Sequence, residues 1–340
     1  MSLTDEWQKP LSVLLEKAGM KDAKITAIEA LKGGVSSDIV VVTFEDGAQV
    51  CAKRALPVLK VAAHWEAPVE RNHYEVAWLK CVAAILPDNV PAVLAEDIAG
   101  GTLLMQYLPA ESYGLWKSDL MLGHFDHKVI LGVAQVLGAI HAHTWEDADI
   151  KATFSHDDLF DALRLTPYLR SLIKVYPELQ THLEAIISAT LSHKCALVHG
   201  DVSPKNILIP KQNGTPVFLD AECAWYGDPA FDAAFCLTHL LLKAAHLPVL
   251  RPQLLAASVD FLNTWSAALP DTGADAAKAR CLTLLPCLIL ARIDGVSPVE
   301  YLSDHERATL RTLILPLIGT GPSLATVTQQ IDTAFRSSRV

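Results

Sequence analysis

The chain has 340 residues, 51% of them apolar, and carries a net charge of −10 with a pI near 5.7. That length and apolar content suffice for two packed lobes, and the acidic balance argues against nucleic acid or an anionic membrane as partner. The most apolar windows are broken by Lys243 and His246 and by Pro286 and Arg292, so none reaches the roughly 20 mostly apolar residues of a membrane helix. The start, MSLTDEWQKP, has no basic stretch followed by an apolar run, so no signal peptide is expected and the cytoplasm is the expected compartment. Seven cysteines without a C-x-x-C pair point to reduced thiols, not to zinc or a disulfide framework.

The first 108 residues alternate strand and helix patterns. Runs 25–31 (ITAIEAL) and 38–44 (DIVVVTF) flank KGGVSS, and 48–55 (AQVCAKRA) follows an Asp-Gly turn. The β-branched runs around that turn predict a hairpin. Residues 69–86 have helical spacing, with Val76, Leu79, Val82, Ala83 and Leu86 near one face. Two more strands are expected at 92–97 and 102–108, across a Gly-Gly turn. The sum is a five-strand antiparallel sheet with one helix after its third strand.

From about residue 115 the patterns are long and helical, at 128–145, 158–176 and 178–194. Short β runs follow: CALVHGD, NILIP and PVFLD, the last two joined by KQNGT as a hairpin. After 231 the pattern is helical to the end. The expected division is an N-terminal lobe, 1–108, and a C-terminal lobe, 109–340. The predicted class is α+β and bilobal.

Chemistry concentrates in HGDVSPKN (199–206) and DAECAWYGDPAFD (220–232). Asp201 lies on a loop leaving a strand, where it can face a cleft and orient an attacking hydroxyl. Asn206 and Asp220 flank the hairpin, so both can reach one metal near Asp201. Magnesium takes oxygen ligands and keeps several waters, so two protein ligands and ATP phosphates suffice. His199 fits a supporting role. Asp232 is expected to cap the following helix and brace the loop, and Asp228 to be structural. Glu222 lies on the same side as Asp220 in an extended segment, within reach of metal or substrate.

Upstream, Lys53 in the predicted third strand would pair the nucleotide phosphates, as the lysine of V-A-I-K does in kinases. Glu75 on the next helix is its expected partner, with Arg71 a competing charge. Gly33 and Gly34, with Ser36 and Ser37, form a turn whose backbone N–H groups can approach phosphate. Gln106 and Leu108 would offer backbone contacts to an adenine between the lobes.

HGDVSPKN with D-x-E…GDPAFD resembles the aminoglycoside phosphotransferase/choline kinase-like superfamily, over about residues 25–320. The resemblance implies a protein-kinase-like bilobal fold and ATP- and Mg2+-dependent transfer to a hydroxyl of a small molecule: a sugar, an amino alcohol or an aminoglycoside-like acceptor. It assigns Asp201 as base, Asn206 and Asp220 as magnesium ligands, and Lys53 to the phosphates. Gly200 stands where protein kinases carry Arg, and Ala221–Glu222 replace Phe-Gly. Only Ala221 to Tyr226 separate Asp220 from GDPAFD, which leaves no room for a peptide-docking segment. Glu222, Trp225–Tyr226, LTHLLLKA and WEAPVERNHYE resemble methylthioribose kinase, whereas Asn206 follows the general pattern. Arg292 and Asp294 lie in a polar break, as acceptor contacts or as a helix-capping pair. Trp116, Trp145, Trp225, Tyr226 and Trp265 are the candidates for a cage around a choline-like cation. The competing reading is a nucleotide-binding scaffold that has lost catalysis.

Overall fold

The computed structural model describes residues 3–31, 36–58, 60 and 68–337. The N-terminal part is helix α1 (Leu3–Lys17), strands β1 (Ile25–Ala30), β2 (Ser37–Phe44) and β3 (Gln49–Ala55), helix α2 (Arg71–Ile85), and strands β4 (Val93–Asp97) and β5 (Thr102–Gln106). The strands form one antiparallel sheet in the order β1-β2-β3-β5-β4, as the β-branched runs and the Asp-Gly turn predict.

Alternation along β3 separates two faces. Val50 and Ala52 turn toward a core built with Val40, Val42, Leu104 and the α1 residues Trp7, Leu11, Leu14 and Leu15. Lys53 takes the opposite side, toward α2 and the C-terminal lobe. The sequence reading has no counterpart to α1, because Pro10 inside it is a helix-stop signal. Its apolar residues nevertheless fall on one stripe.

The remainder is mainly helical: β6 (Tyr113–Leu115), α3 (Trp116–Met121), α4 (His127–His143), α5 (Ala148–Thr153), α6 (Asp157–Phe160), a π-helical stretch over Asp161–Arg170, α7 (Ser171–Val175), α8 (Gln180–Ser192), then β7 (Ala196–Val198), β8 (Ile207–Pro210), β9 (Val217–Phe218), β10 (Trp225–Gly227), α9 (Ala230–His246), α10 (Arg251–Ala267), α11 (Ala274–Asp294), α12 (Asp304–Ile314) and α13 (Leu324–Ser337). The expected β8–β9 hairpin is present and gains β6 as a third strand, while β7 pairs with β10. Segment 158–176 is not one regular helix. Pro167 sits inside the π-helical stretch and removes a backbone donor there.

α9 is buried along nearly its whole length. It is the central rod of the C-terminal lobe, in the same large core as α4, α10 and α11. From α2, Trp78 meets His199 edge-on at 4.8 Å between ring centres, which joins the N-terminal lobe to the loop after β7. Among the described residues no helix is long and apolar enough to cross a membrane. All seven cysteines are free thiols and five are buried.

If α1 is an integral cover of the sheet, Trp7→Ala removes a fully buried side chain and lowers stability by about 3–5 kcal/mol, read as a shifted midpoint in urea unfolding. A change below 1 kcal/mol would show α1 to be dispensable.

Candidate active site

Lys53 stands on the central strand of the sheet and is 2% exposed. Its Nζ donates to Glu75 Oε2 on α2 at 2.7 Å and to Asp220 Oδ1 at 2.6 Å. It also lies 2.9 Å from Glu222 Oε1. Glu222 in turn accepts from Arg71 Nε at 2.9 Å and Ser37 Oγ at 2.5 Å. Arg71 is itself tied to the carbonyls of Pro68, Ser36 and Leu56.

Three carboxylates thus meet two cations in a nearly dry space. Burial alone would lower the Lys53 ammonium, but Asp220, Glu222 and Glu75 outweigh it and hold it well above its ordinary value. Burial raises the Glu75 carboxyl, opposed by Lys53 and reinforced by Asp220 and Glu222. Asp220 has a positive φ of 64°, a left-handed conformation that is uncommon for residues with a side chain, though Asp adopts it more readily than most. Its side chain remains 32% exposed, the most open of the three.

The loop after β7 is fixed from α9. Asp232, fully buried, accepts from the backbone N–H groups of His199 at 2.7 Å and Gly200 at 2.8 Å. Behind it, His141 Nε2 lies 3.3 Å from Asp232, and His141 Nδ1 accepts from Trp265 Nε1 at 2.9 Å. Asp232 therefore braces the loop as expected. It is not the helix cap: α9 begins at Ala230, whose N–H donates to Asp228 Oδ1 at 3.0 Å, and Arg280 holds Asp228 at 2.6 Å. The N-cap position is Pro229, which has no capping side chain, so the first helical N–H is met by Asp228 just before it.

Gly200 has φ +79°, and a Cβ there would come within 2.5 Å of the Cys223 carbonyl oxygen, so only glycine fits. His199 accepts from the Asp201 N–H at 3.2 Å through Nδ1 and donates to the Leu219 carbonyl at 3.0 Å through Nε2. Both ring nitrogens are spent on backbone. Asn206 Nδ2 donates to the Asp201 carbonyl at 3.1 Å, which turns its Oδ1 away from that bond.

The Asp201 carboxylate is 5% exposed. Its Oδ2 lies 3.0 Å from both Arg164 Nη2 and Lys205 Nζ. Among the described residues its Oδ1 has only the Ser203 hydroxyl, at 3.5 Å. Burial pushes this carboxyl up, but Lys205 and Arg164 outweigh it and hold it down at about 2. Neither cation was singled out in the sequence. Lys205 stands inside the HGDVSPKN motif four residues from Asp201, a visible signal. Arg164 comes from the π-helical stretch and also donates to the Gly200 carbonyl; nothing local in the sequence announces it.

The other predicted residues divide. Ser37 is committed to Glu222, and Ser36 offers its carbonyl to Arg71. Gly33 and Gly34 lie outside the described residues. Gln106 uses its own N–H on the Ala92 carbonyl at 2.8 Å, and Leu108 lies past the end of β5. Arg292 and Asp294 do not pair: Asp294 binds Arg311 and Tyr176, and Arg292 binds Ser297. The aromatic candidates form no cage. Trp225 stacks on Phe160 at 4.3 Å in the core, and Trp265 belongs to His141. Oxygens of Glu75, Asp220 and Glu222 lie within 4.8 Å of one another. The Lys53 ammonium already sits among them; the magnesium candidates Asn206 and Asp220 offer oxygen alone, which fits magnesium and not a softer metal.

A small twisted sheet with a buried Lys–Glu pair, set over a helical lobe that presents Asp201, Asn206 and Asp220, is the protein-kinase-like bilobal arrangement. The chain belongs to the phosphotransferase enzyme family, whose model matches residues 27–270, and it is an enzyme of that class. In fold it is similar to an aminoglycoside phosphotransferase from Alicyclobacillus acidocaldarius (TM-score 0.51, 15% identity, 95% of this chain and 96% of that one). It is similar too to a choline kinase from Streptococcus pneumoniae (0.50, 14%, 98% and 99%) and an ethanolamine kinase from Plasmodium vivax (0.50, 11%, 92% and 84%). At such identities the likeness concerns the fold alone. No curated protein matches the sequence.

The Asp201 carboxyl lies below its ordinary value of 3.8, so its ion pairs stabilise the fold above that pH. The contribution, on the order of 2 kcal/mol, is lost as pH falls from about 4 to about 2. The stability gap between wild type and Asp201→Asn should therefore shrink over that window in acid unfolding. A gap independent of pH would contradict the Arg164–Asp201–Lys205 arrangement.

Proposed function

We propose that the protein transfers the γ-phosphoryl group of ATP, with Mg2+, to a hydroxyl of a small molecule, between lobes divided near residue 108. The observation that carries this reading is the asymmetry of Asp201. One carboxylate oxygen is saturated by two cations, and the other is left to accept a hydroxyl proton.

In this reading the acceptor oxygen bonds to the γ-phosphorus as the bridging P–O bond to ADP breaks. The hydroxyl proton passes to Asp201 Oδ1 and then to solvent. An aspartate held at about 2 is a weak base, so its main work is orientation. That suits a loose phosphoryl-transfer transition state, in which positioning and charge dominate and the hydroxyl becomes acidic only as its new bond forms. Lys53, oriented by Glu75, takes the nucleotide phosphates. Asn206 Oδ1 and Asp220 would hold magnesium, which would supply charge neutralisation at the phosphate oxygens. The phosphate role that the sequence assigns to Gly33, Gly34, Ser36 and Ser37 belongs to backbone N–H groups, and the backbone near Gln106 and Leu108 is assigned to the adenine. The short link from Asp220 to GDPAFD supports a small acceptor over a peptide.

Asp201→Ala should lower kcat by about 10²–10⁴-fold while leaving the Kd for Mg·ATP within a few-fold, measured by ADP release and by nucleotide titration. Turnover that survives the substitution would remove Asp201 from the role assigned to it.

A further inference from the structure

Beyond Asp201 the C-terminal lobe carries a second cluster that the phosphotransfer chemistry does not use. Arg164, bound to Asp201, lies over the rings of Tyr168 at 5.7 Å and Phe235 at 5.8 Å. Arg292, from α11, lies over Tyr168 at 5.9 Å. Phe235, His239 and Lys243 recur every four residues along α9, on one face of the helix. The Phe235 and His239 rings are 5.3 Å apart, and Lys243 Nζ sits 4.9 Å over Tyr301. Side chains are therefore linked without a break from Asp201 to His239.

Arg292 spends Nη1 on Ser297, but other polar atoms of this cluster are unspent. His239 Nε2, Arg292 Nε and Tyr301 Oη are buried, with no hydrogen-bond partner among the described residues. His239 is 5% exposed and Lys243 1% exposed, and no described carboxylate lies within ion-pair distance of Lys243. The adjacent acid, Glu300, is paired with Lys117. Burial, then Arg292, Lys243, Lys205 and Lys117, drive His239 well below its ordinary value. Burial and the nearby Lys117 and Arg292 bring Lys243 down to about 7, against Glu300.

Burying an unpaired cation and several unmet polar atoms is costly, and an apolar core would be cheaper. The same atoms become complementary to a negative charge placed among them. Lys117 and Lys205 are already paired with Glu300 and Asp201, so a cationic acceptor would meet Lys243 and Arg292 as repulsion. We propose that Lys243, Arg292, His239 and Tyr301 bind an anionic group, carboxylate or phosphate, on the acceptor whose hydroxyl is presented to Asp201. The inference rests on the phosphotransfer reading above and narrows its substrate class to hydroxylated anions.

The test is thermal unfolding of the full chain in saturating Mg·ADP, with phosphate, acetate or chloride added at equal ionic strength. Wild type, Lys243→Met and Arg292→Gln are compared. The rise produced by Mg·ADP is measured first and reports that each variant is folded with its nucleotide site intact. The expected result is a further rise of about 2 °C for wild type with phosphate or acetate over chloride, at least halved in both variants. The stronger of the two anions tells phosphate from carboxylate. No anion-specific rise in wild type, or one that survives both substitutions, overturns the inference alone. Absence of the Mg·ADP rise in wild type removes the phosphotransfer reading, and this inference with it.

Discussion

A single buried ammonium organises this molecule. Lys53 reaches Glu75 within its own lobe and Asp220 and Glu222 from the other, all within 2.9 Å. Carboxylates gathered in a largely buried space repel one another, and desolvation penalises each. Lys53 and Arg71 make the gathering tolerable. Removing one partner from such a set leaves a charge buried without compensation, at a cost of about 3–5 kcal/mol. The cluster therefore does more than hold Lys53 in place. It fixes the central strand of the sheet, α2 and the segment after β9 against one another.

Asp201 lies under the opposite balance. There one carboxylate meets two cations, and α9 sets the geometry through Asp232, whose two oxygens hold consecutive backbone N–H groups. Gly200 supplies the positive φ that lets both amides point the same way. The two charged systems meet at Asp220, held in a left-handed conformation between them with its carboxylate still partly open. Asp201 and Asn206 are held together by the Asn206 bond to the Asp201 carbonyl, an arrangement set by backbone constraints that involve no ligand.

What was legible in the sequence was local. The β2–β3 hairpin follows from β-branched runs around Asp-Gly, and α2 from its apolar spacing. Lys53, Glu75, Asp201, Asn206 and Asp220 were singled out by motif and spacing, and in the structure Lys53 bonds Glu75 and Asp220 while Asn206 bonds the Asp201 carbonyl. What was hidden depends on distant packing or on irregular backbone. Pro10 masks α1. Pro167 lies in the non-regular stretch that carries Arg164 to Asp201. Glu222 was left open because its partners, Arg71 and Ser37, lie more than a hundred residues upstream. Phe235, His239 and Lys243 were in plain view at four-residue spacing, but their run reads as an apolar core helix until α11 brings Arg292 beside it.

The account turns on Asp220 and Lys53 forming a magnesium-dependent nucleotide site. The most direct measurement is thermal unfolding of wild type and Asp220→Ala with ATP, in the presence and absence of Mg2+. A ligand that binds only the folded state stabilises it by about 2.7 kcal/mol at a hundredfold excess over its Kd. The account predicts a magnesium-dependent rise in Tm for wild type that is lost or sharply reduced in Asp220→Ala. An unchanged wild-type Tm at millimolar Mg·ATP, or an equal rise in both proteins, would contradict it.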